Sequence, residues 1–139
     1  MDIAARKNLQ TVQEFISCFG VGDIERALSL LSEDVYWESP VSANPPKELV
    51  WARPRRGRQG VLDFIRDMWK TVQPYVMDTR SVSADGDRVI VEGRNQCVVR
   101  STGKMYDHEW VLIFTLKDGK ITSHRQYYDT AAILEAFRP

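Results

Sequence analysis

The run Trp110-Val111-Leu112-Ile113-Phe114 constrains this chain more than any other feature, because both side-chain phases of what reads as a strand are apolar. Successive residues of a strand point to opposite faces, so both faces of the sheet need cover here, whereas an antiparallel sheet usually leaves one face to water. With 139 residues, the chain is long enough for one core and too short for two. Its own helices would then cover one face and a second copy of the chain the other. The expectation is a single domain, 1–139, with room for a small-molecule pocket between helices and sheet.

The order of elements supports an α+β arrangement. Leu9, Val12, Phe15, Ile16 and Phe19 recur at helical spacing until Gly20 and Gly22 stop the pattern. Asp23 suits an N-cap for a second helix that places Ile24, Ala27, Leu28 and Leu31 on one face. A short strand follows near 35–39. Residues 40–57 hold Pro40, Pro45, Pro46 and Pro54 without a period, which reads as a lid. A third helix spans roughly 60–73, ended by Pro74. Four strands come next, near 76–83, 88–100, 105–116 and 120–128, with turns at Asp85-Gly86, Thr102-Gly103 and Asp118-Gly119. Asp129 caps a last short helix. Helices first and a meander afterwards lacks the alternation of a parallel sheet.

Composition excludes several classes of partner. Nineteen Lys and Arg balance nineteen Asp and Glu, so net charge points to neither nucleic acid nor an anionic membrane. The stretch Arg53-Pro54-Arg55-Arg56-Gly57-Arg58 could meet a phosphate or carboxylate at the pocket mouth, but reads first as a solvated loop. Cys18 and Cys97 lack the spacing of a zinc set or redox pair. No apolar run approaches the length of a membrane span, and the charged N-terminus is unlike a signal peptide. A reduced, cytoplasmic protein is the expectation.

Several phrases, taken together and in order, resemble the nuclear transport factor 2-like superfamily, and within it the SnoaL-like, ketosteroid isomerase-related proteins. They are Gly22-Asp23, Leu31-Ser32-Glu33-Asp34-Val35, Gly60-Val61, Ala84-Asp85-Gly86-Asp87-Arg88-Val89, Thr102-Gly103-Lys104, Asp118-Gly119-Lys120-Ile121 and Tyr127-Tyr128-Asp129. The resemblance implies a cone-shaped, cystatin-like fold, a curved antiparallel sheet wrapped around N-terminal helices with a deep apolar pocket, and a homodimer through the sheet's outer face. It also implies where chemistry would sit. Ketosteroid isomerases use a Tyr on the first helix, a carboxylic acid on the third meander strand and an Asp ending the first strand. Those positions here hold Phe15, Leu112 and Ser39. SnoaL-type polyketide cyclases place an Asp on the last strand where this chain has Gln126. Neither mechanism carries over directly, and fold alone does not decide function.

Hairpin register decides which side chains share the pocket. A three-residue loop, Lys117-Asp118-Gly119, with Gly119 in a bulge, would pair Leu112 with His124, Trp110 with Gln126 and His108 with Tyr128. A two-residue loop would bring Arg125 opposite Leu112 and Asp129 opposite His108. The first fits the superfamily's pocket phase, placing Tyr106, His108, Trp110, Leu112, Phe114, His124, Gln126 and Tyr128 inward, and Val111, Ile113, Arg125 and Tyr127 on the dimer-forming face.

Within that set His108 is the residue suited to proton transfer at neutral pH. Gln126 and, if a β-bulge turns it inward, Glu38 complete the candidate catalytic group. Phe15, Trp37, Ser39, Trp51, Trp69, Tyr106, Trp110, Leu112, His124 and Tyr128 are candidate substrate-binding residues, with Trp51 closing from the lid. Two histidines without supporting carboxylates argue against a metal, and nothing calls for a cofactor. Three readings stay open: acid–base chemistry, of isomerase or cyclase type, on an apolar, oxygen-bearing substrate; a non-catalytic binding domain for a small apolar or aromatic metabolite; and a dimerisation module with a self-filled pocket.

Overall fold

Asp2 starts the first helix by accepting the Ala5 N–H at 2.7 Å, which satisfies one of the donors a helix start leaves free. In the computed structural model, which describes residues 2–139, α1 runs Ile3–Gly20 and α2 Ile24–Ser29, the latter capped by Asp23. Then follow β1 (Leu31–Glu38), β2 (Arg55–Arg56), α3 (Gly57–Thr71), β3 (Val72–Asp85), β4 (Arg88–Val99), β5 (Met105–Lys117), β6 (Lys120–Tyr128) and α4 (Thr130–Phe137). Pro74 does not end α3. It lies in β3 beside a register shift, and β3 is the sheet's edge, where a missing N–H is tolerated.

The six strands form one curved, open sheet in the order β2-β1-β6-β5-β4-β3. It is not wholly antiparallel as expected, because β1 joins β6 in parallel, Trp37 opposite His124 and Glu38 opposite Arg125. The α+β class and the wrapped-sheet architecture hold. Val12 and Phe15 of α1, and Val61, Phe64 and Ile65 of α3, pack onto Val89, Val91, Phe114, Leu116 and Ile121 of the inner face. Each such large side chain contributes roughly 1.5–3 kcal/mol by burial. On the outer face Val111 and Ile113 are half-buried and Tyr127 is exposed.

The last hairpin corrects the expected register. Asp118 and Gly119 both take positive φ, 51° and 77°, in a two-residue turn closed by Lys117 and Lys120, as such turns require. The bulge lies further along, where the register shifts between Ser123 opposite Thr115 and Ile121 opposite Leu116. Thr122 is the extra residue, its hydroxyl donating to the Thr115 carbonyl at 3.1 Å. One inserted residue restores the pocket phase but moves every partner by two from the expected pairs. Trp110 faces Tyr128, Leu112 faces Gln126 and Phe114 faces His124.

The segment after β1 is tied down. The Ser39 and Ser42 hydroxyls both donate to the Ala52 carbonyl, at 2.8 and 2.9 Å, and Leu49, Trp51 and Ala52 are buried. The basic stretch is solvated at Arg53, which is exposed, but its other arginines are engaged. Arg55 is buried and donates to Asp67 at 2.7 Å and to the Val50 carbonyl at 3.1 Å. Arg58 donates twice to the Leu31 carbonyl, and the Arg56 guanidinium sits 4.9 Å from the Tyr36 ring centroid. These arginines fasten the lid and α3 to β1.

Candidate active site

Sheet pairing assembles the site row by row. Met77, Asn95 and His108 lie side by side across β3, β4 and β5, and Thr79, Gly93, Trp110 and Tyr128 form the next row. Leu112 with Gln126 follows, then Phe114 with His124 and Trp37. These rows floor a cavity of about 240 Å³, roofed by α1 through Phe15, Ile16 and Phe19 and by α3 through Phe64 and Met68. Gly20, Met77 and Thr79 are exposed and mark its open side, while buried Trp51 and Ile133 close the far end. Among the described residues no Asp, Glu, Lys or Arg lines the cavity.

His108 sits between two phenols, edge-on to Tyr106 at 5.2 Å and to Tyr128 at 6.1 Å. Burial lowers its pKa below the usual 6.5, and the charges of Asp129 and Asp107 oppose that only in part. The imidazole is therefore mainly neutral at pH 7 and can accept a proton. Its Nδ1 is occluded without a hydrogen-bond partner, whereas Nε2 is not among the occluded atoms. Burial raises the pKa of Tyr106 and of Tyr128, so both phenols stay protonated. The Tyr128 hydroxyl lies near the Ser39 and Trp51 side chains without bonding to either.

His124 has a different environment. It is fully enclosed, stacked on Trp37 and packed against Phe114, and burial depresses its pKa to about 3. Its Nδ1 and the Trp37 Nε1 are also occluded and unpartnered. Such orphans are rare in folded proteins, and three of the four on cavity-lining side chains belong to its two histidines and Tyr128.

Of the residues read from sequence, His108, Gln126, Phe15, Trp37, Trp51, Tyr106, Trp110, Leu112, His124 and Tyr128 line the cavity together. Three do not. Glu38 faces outward, bonded to Arg125 at 2.8 Å and to the Tyr36 hydroxyl at 3.1 Å, because no bulge reverses it at that end of β1. Ser39 anchors the lid through Ala52. Trp69 lies on the outer side of α3, two-fifths exposed, against Phe19. Asp107 and Glu109 point away from the cavity as expected, toward Arg94 and Arg80, and Arg94 and Gln96 hold the Asp107 carboxyl at about 2. Sequence reading missed Asn95, Met77 and Thr79. Carrying the pairing across the Thr102-Gly103 turn would have placed Asn95 beside His108. Among the described residues no three His, Cys, Asp or Glu side chains converge as metal ligands would, and no helix is long and apolar enough to cross a membrane.

The model of the SnoaL-like domain matches residues 12–124. The chain belongs to the SnoaL-like family. This SnoaL-like protein is 25% identical over 134 residues to the uncharacterized protein YesE of Bacillus subtilis (strain 168), covering 94% of this chain and 87% of YesE. Among solved structures it is similar to an NTF2-like protein from Burkholderia xenovorans LB400, at 28% identity and a TM-score of 0.84, over 96% of this chain and 98% of that one. TerC co-crystallized with polyporic acid shares the fold at 24% identity and a TM-score of 0.78, over 94% and 98% of the two chains.

Proposed function

We propose that this SnoaL-like protein is a small-molecule enzyme that moves a proton on a neutral, mostly apolar, oxygen-bearing substrate, with His108 as the proton-transfer group. The observation that carries this reading is a neutral imidazole in a cavity without a charged wall. A charged ligand would lose hydration there without gaining a counter-charge, so the substrate is uncharged. Aromatic walls favour a planar ring system. Gln126 supplies a polar contact, and Trp51 seals the inner end. The chemistry is of the isomerase or cyclase type, in which a base removes a proton next to a carbonyl.

The second reading, a binding domain that leaves its ligand unchanged, is favoured by Phe15, Leu112 and Gln126, none of which can donate or accept a proton where related enzymes use acidic or phenolic groups. Either way a second copy would cover the outer face, where Val111, Ile113 and Tyr127 present apolar surface.

The test is incubation with a panel of neutral aryl ketones and phenols, with products followed by mass spectrometry for wild type and His108→Gln. Turnover should fall by roughly a hundredfold or more in the variant, with ligand affinity within a few fold. An unchanged rate would remove His108 from the mechanism. Ligand recovered intact from a panel that binds would favour the second reading.

A further inference from the structure

Resting on that reading, we infer that Asn95 is the donor that recognises the substrate's carbonyl oxygen beside His108, held in place by Trp110. Asn95 stands opposite His108 on the neighbouring strand and lines the same cavity. Its Oδ1 accepts the Trp110 indole N–H at 2.8 Å. An indole nitrogen only donates, so this bond fixes which end of the carboxamide is oxygen, a choice otherwise open to a flip. The amide nitrogen is then the end left for a ligand. Among the described residues it bonds to no protein acceptor, yet it is not occluded, so its two N–H groups remain available at the cavity.

Gly93 makes the arrangement fit. It is directly opposite Trp110, and a Cβ there would run into the Trp110 ring. The missing side chain lets the indole lie across β4 and reach Asn95. A base next to a donor aimed at a carbonyl oxygen is the pair that proton removal beside a carbonyl needs, since negative charge builds on that oxygen as the proton leaves. The ligand class is therefore a neutral ketone with a proton on the carbon next to its carbonyl, because only a carbonyl oxygen can take up the negative charge as that proton leaves.

Two probes of one shape read this directly: 2-acetylnaphthalene, whose carbonyl accepts, and 2-isopropenylnaphthalene, its hydrocarbon counterpart. Tryptophan fluorescence quenching gives both dissociation constants. Wild type should favour the ketone by about fivefold or more over the intrinsic solubility difference. Asn95→Leu and Asn95→Asp should each abolish that preference while the hydrocarbon still binds, and Asp keeps the acceptor for Trp110, separating donation from support. Trp110→Phe, which frees the amide to flip, should reduce the preference partway. A ketone preference that persists in both Asn95 variants overturns the inference alone. Failure of both probes to bind wild type overturns it together with the proposed function.

Discussion

The His124 imidazole lies face to face with the Trp37 indole, ring centroids 3.7 Å apart and planes 21° from parallel. The pair spans the parallel junction of β1 and β6. A protonated imidazole there would be sealed from water with no carboxylate near it, which is why its pKa falls to about 3. An unfolded chain binds that proton near 6.5 and the folded one does not, so the unfolded state gains as pH falls through this window. The stabilising contribution of neutral His124 is complete above pH 6.5 and lost progressively toward pH 3. At about 1.4 kcal/mol per pKa unit the full loss is roughly 5 kcal/mol. Urea unfolding at stepped pH should show this slope in wild type and a flatter one in His124→Leu.

Catalysis should follow the same sign at His108. If the neutral imidazole is the base, the rate rises with pH through an inflection below 6.5 and then levels. Asp129 raises that pKa while capping α4. Asp129→Asn keeps a capping side chain and removes the charge, so the inflection should move to lower pH without loss of fold. The pH-rate profile of the two proteins checks this.

The lid depends on Arg55, whose side chain is 4% exposed beside Asp67. Asp67→Ala would leave that guanidinium enclosed without a counter-charge, at a cost of about 3 kcal/mol. The double variant Arg55→Met with Asp67→Leu should recover much of it. Thermal melts of the three proteins distinguish a desolvation effect from mere loss of contact.

Gly93→Ala puts a methyl group into the Trp110 ring and against the Asp78 backbone carbonyl. We expect a loss of roughly 1–3 kcal/mol from overpacking and weaker ketone binding, because the indole must leave Asn95. Denaturant midpoints and probe affinities measure the two effects separately.

Much of this architecture is legible in the amino-acid sequence, for particular reasons. Alternation through 105–114 fixes which side chains face inward, and a single bulge preserves that phase wherever it falls. The pocket set was therefore legible even though its neighbours were displaced by two, since nothing local marks Thr122 rather than Gly119 as the extra residue. Trp69 shared helical spacing with true core residues and could not be distinguished from them. Arg55 and Arg58 carry no local sign of being engaged, because their partners, Asp67 and the Val50 and Leu31 carbonyls, are brought near only by tertiary packing. Asn95 carried no signal of its own; its role comes from the indole across the strand.

The most direct test of proton transfer by His108 needs no knowledge of the natural substrate. Exchange of the α-protons of 2-tetralone, a neutral bicyclic ketone, can be followed by proton NMR in heavy water with wild type and with His108→Gln. With His108 as the base, exchange is accelerated by wild type and reduced by roughly a hundredfold or more in the variant. Equal rates in the two proteins, with the ketone bound by both, would contradict it.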